Sequence, residues 1–286
     1  MKIAFLGTGL MGEPLAEKFI GKAKQLYIYN RTKSKTSGLK EKGAIVADSP
    51  EHAIKESDII FTMVTDYPAL CNLLFSDRFN SFNEKAIIQM STISPGESEL
   101  LEERIESFGG EYIEAPVLGS IPQIKDNSLM ILCGGKENLV NKYKPVLELI
   151  SENITYVGGI GSAAAIKLAL NQFIPSLAAI FSASYSYLIK NNVNTIPFMN
   201  ILKQSALYAP TYEKKISNYD SRNYDNPNFP LKHMLKDINL IETQFKDAKI
   251  DTTIIEAVKK ILINAVRENL GDKDYSALYE IINPKK

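Results

Sequence analysis

KIAFLGTGLMGEPLAEKFIGKA, residues 2–23, decides how the rest of the chain is read. KIAFLG (2–7) is a short apolar run suited to a buried strand. EPLAEKFIGKA (13–23) carries apolar residues at helical spacing. Between them Gly7, Gly9 and Gly12 stand in G-x-G-x-x-G spacing. The first glycine allows a tight turn, the second lets backbone approach a pyrophosphate, and the third lets the helix pack on the strand. The helix start adds N–H groups and a partial positive charge. Spacing alone is a weak signal, but between a strand and a helix it predicts a dinucleotide site.

The alternation continues along the chain. QLYIYN (25–30), DIIFTMV (58–64), KAIIQMS (85–91), EYIEAP (111–116) and LMILCGG (129–135) read as strands. SPEHAIKES (49–57) reads as a helix with Ser49 as cap and Pro50 in the first position. A segment near 67–76 and PGESELLEERIESFG (95–109) read as further helices. Repeated βα units predict an α/β fold, a Rossmann-type doubly wound parallel sheet with helices on both faces. After residue 161 strand signals cease, and helices are expected over 162–190, 196–207, 229–247 and 251–269. The polar, tyrosine-rich stretch 208–230 is expected to form loops and short turns. The expected division is a nucleotide-binding domain over 1–161 and an all-α substrate and oligomerisation domain over 162–286.

Composition narrows the partners. The 286 residues include 33 Lys+Arg and 33 Asp+Glu, a balance that gives no reason to expect nucleic acid or an acidic membrane surface. Cys71 and Cys133 lie far apart without CxxC spacing and read as free thiols in a reducing compartment. With only His52 and His233 besides, the residues argue against a zinc site, and no metal is expected. The apolar start is interrupted by glycines and ends at Glu13 without a cleavage site, so it is not read as a signal peptide. No segment is read as approaching the roughly 20 apolar residues of a membrane span. A cytoplasmic protein is the expectation.

The end of the second strand bears on which dinucleotide binds. An Asp or Glu there would accept from the ribose 2′-OH of NAD. The chain has Asn30, Arg31 and Thr32 instead. A 2′-phosphate would be repelled by a carboxylate and paired by a guanidinium, so NADP is expected over NAD. The alternative is that Arg31 is an ordinary solvated loop residue and selectivity is poor.

GIGSAAAIKLALNQF (159–173) then poses a chemical question, because Lys167 stands among Ala, Ile and Leu. Asn171 follows four residues later, on the same face of a helix. Carbonyl reduction needs a hydride donor and a proton, or positive charge, at the developing alkoxide, and a fixed lysine supplies either. Burial disfavours the charged ammonium and eases proton release. Asn171 could hold the substrate oxygen or orient the lysine. The structural alternative is a lysine that snorkels or pairs with a carboxylate at a helix interface. Pro175 lacks an N–H for the Asn171 carbonyl, so a kink is expected nearby.

With these motifs in view the chain resembles the β-hydroxyacid dehydrogenases, in particular their glyoxylate and succinic semialdehyde reductase branch. GTGLMGEP is similar to that family's cofactor fingerprint, which brings Leu10 and Met11 into the cofactor set. Asn30-Arg31-Thr32 is similar to its NADP-preferring variant. STISP (91–95) is similar to the segment that sets a threonine, here Thr92, near the nicotinamide. Val64 and Thr65, ending the third strand-like run, join the expected cofactor residues. EAPVLGS (114–120) is similar to the substrate loop, and Gly161 to Asn171 to the catalytic helix with Lys167 as acid/base. FPLKHMLKD (229–237) is similar to a C-terminal block in which Lys236 approaches the cofactor, and Phe229 and Asp237 the substrate.

The resemblance implies an NADPH-dependent reductase of small aldehyde or keto acids and a homodimer or homotetramer. One departure stands out: the family's loop usually reads Pro-Val-Ser-Gly, and Leu118 occupies the serine's place. Backbone N–H groups of Leu118, Gly119 and Ser120 could hold a carboxylate, Ser120 could substitute, or the substrate could be more apolar. A tolerated swap is the remaining alternative. Glu111 and Glu114 are expected on opposite faces of their strand as surface or edge residues. Competing functions are an imine reductase-like enzyme and a non-catalytic NADP-binding module; relatives of both kinds tend to lack the lysine.

Overall fold

The computed structural model describes residues 1–75 and 81–285. Two compact units emerge, Met1–Lys167 and the chain from Leu168 onward.

The first unit is built on a sheet of β1 (Lys2–Leu6), β2 (Gln25–Tyr29), β3 (Ile45–Val46), β4 (Ile59–Thr62), β5 (Ala86–Gln89), β6 (Glu111–Glu114), β7 (Val117–Leu118), β8 (Met130–Gly134) and β9 (Ile154–Gly158). Strands β3-β2-β1-β4-β5-β6 lie side by side and all run parallel. Successive side chains of a strand face opposite ways, so Ile3 and Phe5 join one apolar cluster and Ala4 and Leu6 the other. Both faces are covered, which is why these strands are continuously apolar rather than alternating. The chain leaves β1 to one side and returns to β4 on the other. Such a switch point opens a crevice at the strands' carboxyl ends.

The sheet departs from the all-parallel expectation at one edge. Strand β8 runs antiparallel to β6 and β7, and β9 then pairs parallel with β8. Hydropathy does not encode strand direction, so LMILCGG gave no sign of it. The helix expected over 13–23 covers only Gly12–Glu17 and passes into i→i+3 turns, with Gly21 at positive φ. The helix expected near 67–76 spans Tyr67–Leu74, capped by Asp66 Oδ1 on the Ala69 N–H at 2.9 Å; Ser76 lies outside the described residues. Ser49 caps Pro50–Lys55 through the His52 N–H, and the next long helix is Pro95–Ser107. Short helices at Ser37–Glu41 and Ile121–Lys125 and a longer one at Glu137–Leu147 were not anticipated.

The second unit is helical around its own core. The span 162–190 is interrupted at Gln172 into Ser162–Asn171 and Phe173–Lys190. Pro175 sits one turn beyond the interruption, and the Ser176 hydroxyl donates to the Gln172 carbonyl at 2.8 Å. The expectation about membrane-spanning length is corrected here. The span is long and apolar enough to cross a bilayer, with 44% of its most apolar window buried inside the fold. Thr195–Gln204, Leu231–Asp247 and Thr253–Arg267 follow.

The stretch 208–230 is more ordered than loops and turns, because Glu213–Ser221 is a helix. Its tyrosines account for this. Tyr212 stacks on Phe181 at 4.7 Å and Tyr219 on Tyr279 at 4.5 Å. Buried Lys215 pairs with Asp274 at 2.7 Å, so its charge is balanced by a residue far along the chain.

Candidate active site

The glycine loop follows β1 directly. Gly7 has φ +102°, and a Cβ there would stand 2.2 Å from the Met63 carbonyl oxygen. A Cβ on Gly12 would stand 1.8 Å from the Gly7 carbonyl oxygen. Packing within the protein therefore demands glycine at both positions. Gly9 is different: a Cβ there meets nothing within 4 Å. Among the described residues no neighbour requires glycine at position 9, and the space beside its backbone is what a pyrophosphate needs. Leu10 and Met11 complete the loop, Leu10 exposed and Met11 half-buried.

The loop after β2 lies against this one. The Thr8 hydroxyl donates to the Lys35 carbonyl at 2.9 Å, and the Asn30 carboxamide donates to the Thr32 carbonyl at 3.0 Å. Arg31 and Thr32 are exposed, as are Lys33 and Lys35. Three cations thus lie within five residues. Sequence reasoning singled out Arg31 alone, although the NRTKSKT run already displayed the other two.

At the ends of β4 and β5, the Val64 N–H donates to the Ser91 hydroxyl at 2.8 Å. Val64 also flanks Gly7, whose absent Cβ would lie 2.8 Å from Val64 Cγ1. Thr65 is exposed and Thr92, next to Ser91, is half-buried. Val64, Thr65 and Thr92 therefore belong to the carboxyl edge of the sheet that carries the glycine loop. Leu118 ends β7, Gly119 takes φ +134°, and Ser120 starts the Ile121–Lys125 helix. Both the N–H and the hydroxyl of Ser120 donate to Gln123 Oε1 at 2.9 Å. Ser120 is thus committed to its own helix start, and the loop's anion-binding capacity is smaller than the sequence suggests.

Lys167 lies on the helix Ser162–Asn171 and is 8% exposed. Ala163, Lys167 and Asn171 recur every four residues and form a buried stripe. The start of this helix is held by a residue the sequence reading misjudged. Glu114 is 1% exposed, not a surface or edge group. Its Oε1 accepts from the Ala163 N–H at 2.7 Å and its Oε2 from the Ser98 hydroxyl at 2.7 Å. Burial pushes its pKa above the usual carboxylate range, opposed by the Ser98 hydroxyl and by the Ala163, Gly161 and Ala164 amides. The available signal was Tyr112, two residues earlier on the same face: its buried hydroxyl bonds Ser98 at 2.9 Å. Glu111, on the opposite face, pairs with Lys142.

In the second unit three expected residues meet. Asn171 Nδ2 donates to Asp237 Oδ2 at 2.8 Å, and Lys236 Nζ lies 2.6 Å from Asp237 Oδ1. Asn171 is 4% exposed, and its Oδ1 is buried with no hydrogen-bond partner among the described residues. Phe229 packs edge-on against Tyr275, and its carbonyl accepts from the Tyr275 N–H.

A glycine loop at the switch point of a parallel sheet defines the class, that of dinucleotide-binding proteins. Residues 2–158 match the family described as NAD binding domain of 6-phosphogluconate dehydrogenase. Residues 161–282 match that described as NAD-binding of NADP-dependent 3-hydroxyisobutyrate dehydrogenase. Glyoxylate/succinic semialdehyde reductase 2, chloroplastic, of Arabidopsis thaliana is 30% identical over 289 residues, covering 100% of this chain and 80% of the relative. Glyoxylate/succinic semialdehyde reductase 1 of the same plant is 29% identical, covering 99% and 98%. Among solved structures, 3-hydroxyisobutyrate dehydrogenase from Salmonella typhimurium shares the fold at a TM-score of 0.87 and 17% identity, covering 98% and 99%. The chain belongs to the β-hydroxyacid dehydrogenase family of NAD(P)-dependent enzymes.

Proposed function

We propose that the protein is an NADPH-dependent reductase of small aldehyde or keto acids such as glyoxylate or succinic semialdehyde. The observation that carries this reading is the burial of Lys167 on the helix that follows the dinucleotide-binding sheet. A relative at 30% identity named for glyoxylate and succinic semialdehyde supports the substrate class. The preference for NADP is supported by the missing carboxylate after β2 and by exposed Arg31, Lys33 and Lys35 in its place.

NADPH, when bound, supplies the hydride for the carbonyl carbon. The glycine loop would hold the pyrophosphate with backbone N–H groups, and Arg31 would pair with the 2′-phosphate. Val64, Thr65, Thr92 and Lys236 would complete the cofactor set. Lys167 hands its ammonium proton to the carbonyl oxygen as negative charge develops there, leaving a neutral amine that solvent recharges. Asn171, its amide end held by Asp237, keeps a free acceptor oxygen for the substrate. Phe229, Asp237 and the backbone of Leu118 and Gly119 would serve the substrate.

A homodimer or homotetramer belongs to the same reading. Phe173, Ile180 and Tyr187 recur every seven residues on the helix Phe173–Lys190 and are 53%, 62% and 69% exposed. A second copy covering this stripe removes it from water. The deciding assay follows NADPH absorbance with glyoxylate, succinic semialdehyde, methylglyoxal and a cyclic imine. Turnover of the aldehyde acids is expected. Turnover of the imine alone, or NADPH binding with no turnover, overturns the proposal.

A further inference from the structure

The link from β9 into the lysine helix is Gly158-Gly159-Ile160-Gly161, with Gly158 at φ +130° and Gly161 at φ +88°. Glycines leave the backbone free to take many directions. Such a link does not by itself fix where the next helix begins or how it is rotated. Something else must, if Lys167 is to present its ammonium at one place.

We infer that Glu114 is a positioning residue, whose buried carboxylate fixes the start of the helix Ser162–Asn171 and thereby the place of the Lys167 ammonium. The inference rests on the reading of Lys167 as the proton donor. Three elements converge on this one carboxylate. It closes β6, it takes the Ser98 hydroxyl from the helix Pro95–Ser107, and it takes the Ala163 N–H of the lysine helix. Ser98 is locked in turn by Tyr112. The carboxylate fills the space that Gly134, its partner across β6 and β8, leaves by having no side chain: a Cβ there would stand 2.2 Å from Oε1. Lys167 is one turn beyond Ala163 on the same buried stripe, so a rotation or shift at Ala163 is carried to it directly. A misplacement of about 1 Å at a reacting group costs on the order of 10²-fold in rate.

The test compares Glu114→Met, which keeps the volume and removes both acceptors, with Glu114→Gln, which keeps an oxygen for the Ala163 N–H. Each is assayed for kcat, substrate KM, NADPH affinity, and hydrogen exchange of the amides from Ala163 to Lys167. Glu114→Met is expected to lower kcat by roughly 10- to 100-fold. Its NADPH affinity stays unchanged, and exchange rises at Ala163–Lys167 but not in β1. Glu114→Gln is expected to recover most of the kcat and the protection. Wild-type kcat in Glu114→Met overturns the inference, as does an equal loss in both variants accompanied by loss of NADPH binding. If Glu114→Met fails to fold, Ser98→Ala takes its place, with a smaller loss of kcat and faster exchange at the helix start. Wild-type values of both in Ser98→Ala overturn the inference. Lys167→Ala is run beside them. Turnover surviving Lys167→Ala removes the reading on which the inference rests. Turnover lost with Lys167→Ala but intact in Glu114→Met overturns the positioning role alone.

Discussion

Asn171 turns the nitrogen of its carboxamide to Asp237 Oδ2, 2.8 Å away, and leaves its oxygen buried with no hydrogen-bond partner among the described residues. A carboxylate accepts only, so the amide end is the only one it can take.

Replacing Asn171 with Leu leaves Asp237 Oδ2 buried without that donor. The expected loss is about 1–3 kcal/mol of stability, read from urea unfolding. Asn171→Asp places two carboxylates together, with Lys236 already engaged on the far oxygen of Asp237. One of the two must then hold its proton in the folded state, so its folded pKa is raised. Stability is retained at low pH and lost as pH rises beyond about 4, where the unfolded carboxylates ionise. Denaturation midpoints at several pH values check the sign, and a deficit confined to acid pH contradicts the geometry.

Lys167→Ala is expected to lower turnover by about 10²–10⁴-fold. NADPH binding, measured by fluorescence, should survive, because Lys167 lies on the helix Ser162–Asn171 and belongs to neither the glycine loop nor the loop after β2. Loss of binding in step with turnover would assign Lys167 to the cofactor instead.

Arg31→Glu should weaken NADPH binding by roughly 10- to 100-fold, the equivalent of charge-assisted hydrogen bonds of about 1.5–3 kcal/mol. NADH affinity should fall far less. Equal losses for both cofactors would mean that Arg31 does not read the 2′-phosphate.

Leu118→Ser restores a hydroxyl to the substrate loop. We expect the KM for glyoxylate to fall about tenfold, the worth of one hydrogen bond to a charged group, with kcat little changed. An unchanged KM would place the substrate carboxylate away from this loop.

Light scattering should give a mass above that of one chain, 31.9 kDa. Ile180→Glu, which sets a charge in the middle of the exposed apolar stripe, should move the mass toward the monomer. A monomeric wild type removes the oligomer from the proposed function.

The parts of this structure that were readable in the sequence are those set by local chemistry. The apolar runs of β1, β2, β4, β5 and β6 declare a buried sheet because both faces are covered. Gly7 and Gly12 are glycines for reasons of packing, and their spacing marks the loop. The cap at Ser49 follows from its own hydroxyl and a backbone N–H three residues on. What could not be read depends on partners distant in sequence. The antiparallel course of β8 is a property of pairing, not of hydropathy. The helix Glu213–Ser221 is polar in sequence and stable because Tyr219 finds Tyr279 and Lys215 finds Asp274. Glu114 looked like a surface carboxylate because its hydrogen-bond partners, Ser98 and Ala163, stand 16 and 49 residues away. Ser120 is the exception: Gln123 stands three residues on, and the S-x-x-Q spacing of a capping box was legible in the sequence.

The contact between Gly134 and the Glu114 carboxylate carries a rule for how this sequence can drift. Any side chain at 134 collides with the longer acid at 114, so a gain of bulk at one must be matched by a shorter residue at the other. A lone alteration in a strand far from any expected ligand contact would then silence the enzyme by unseating a helix.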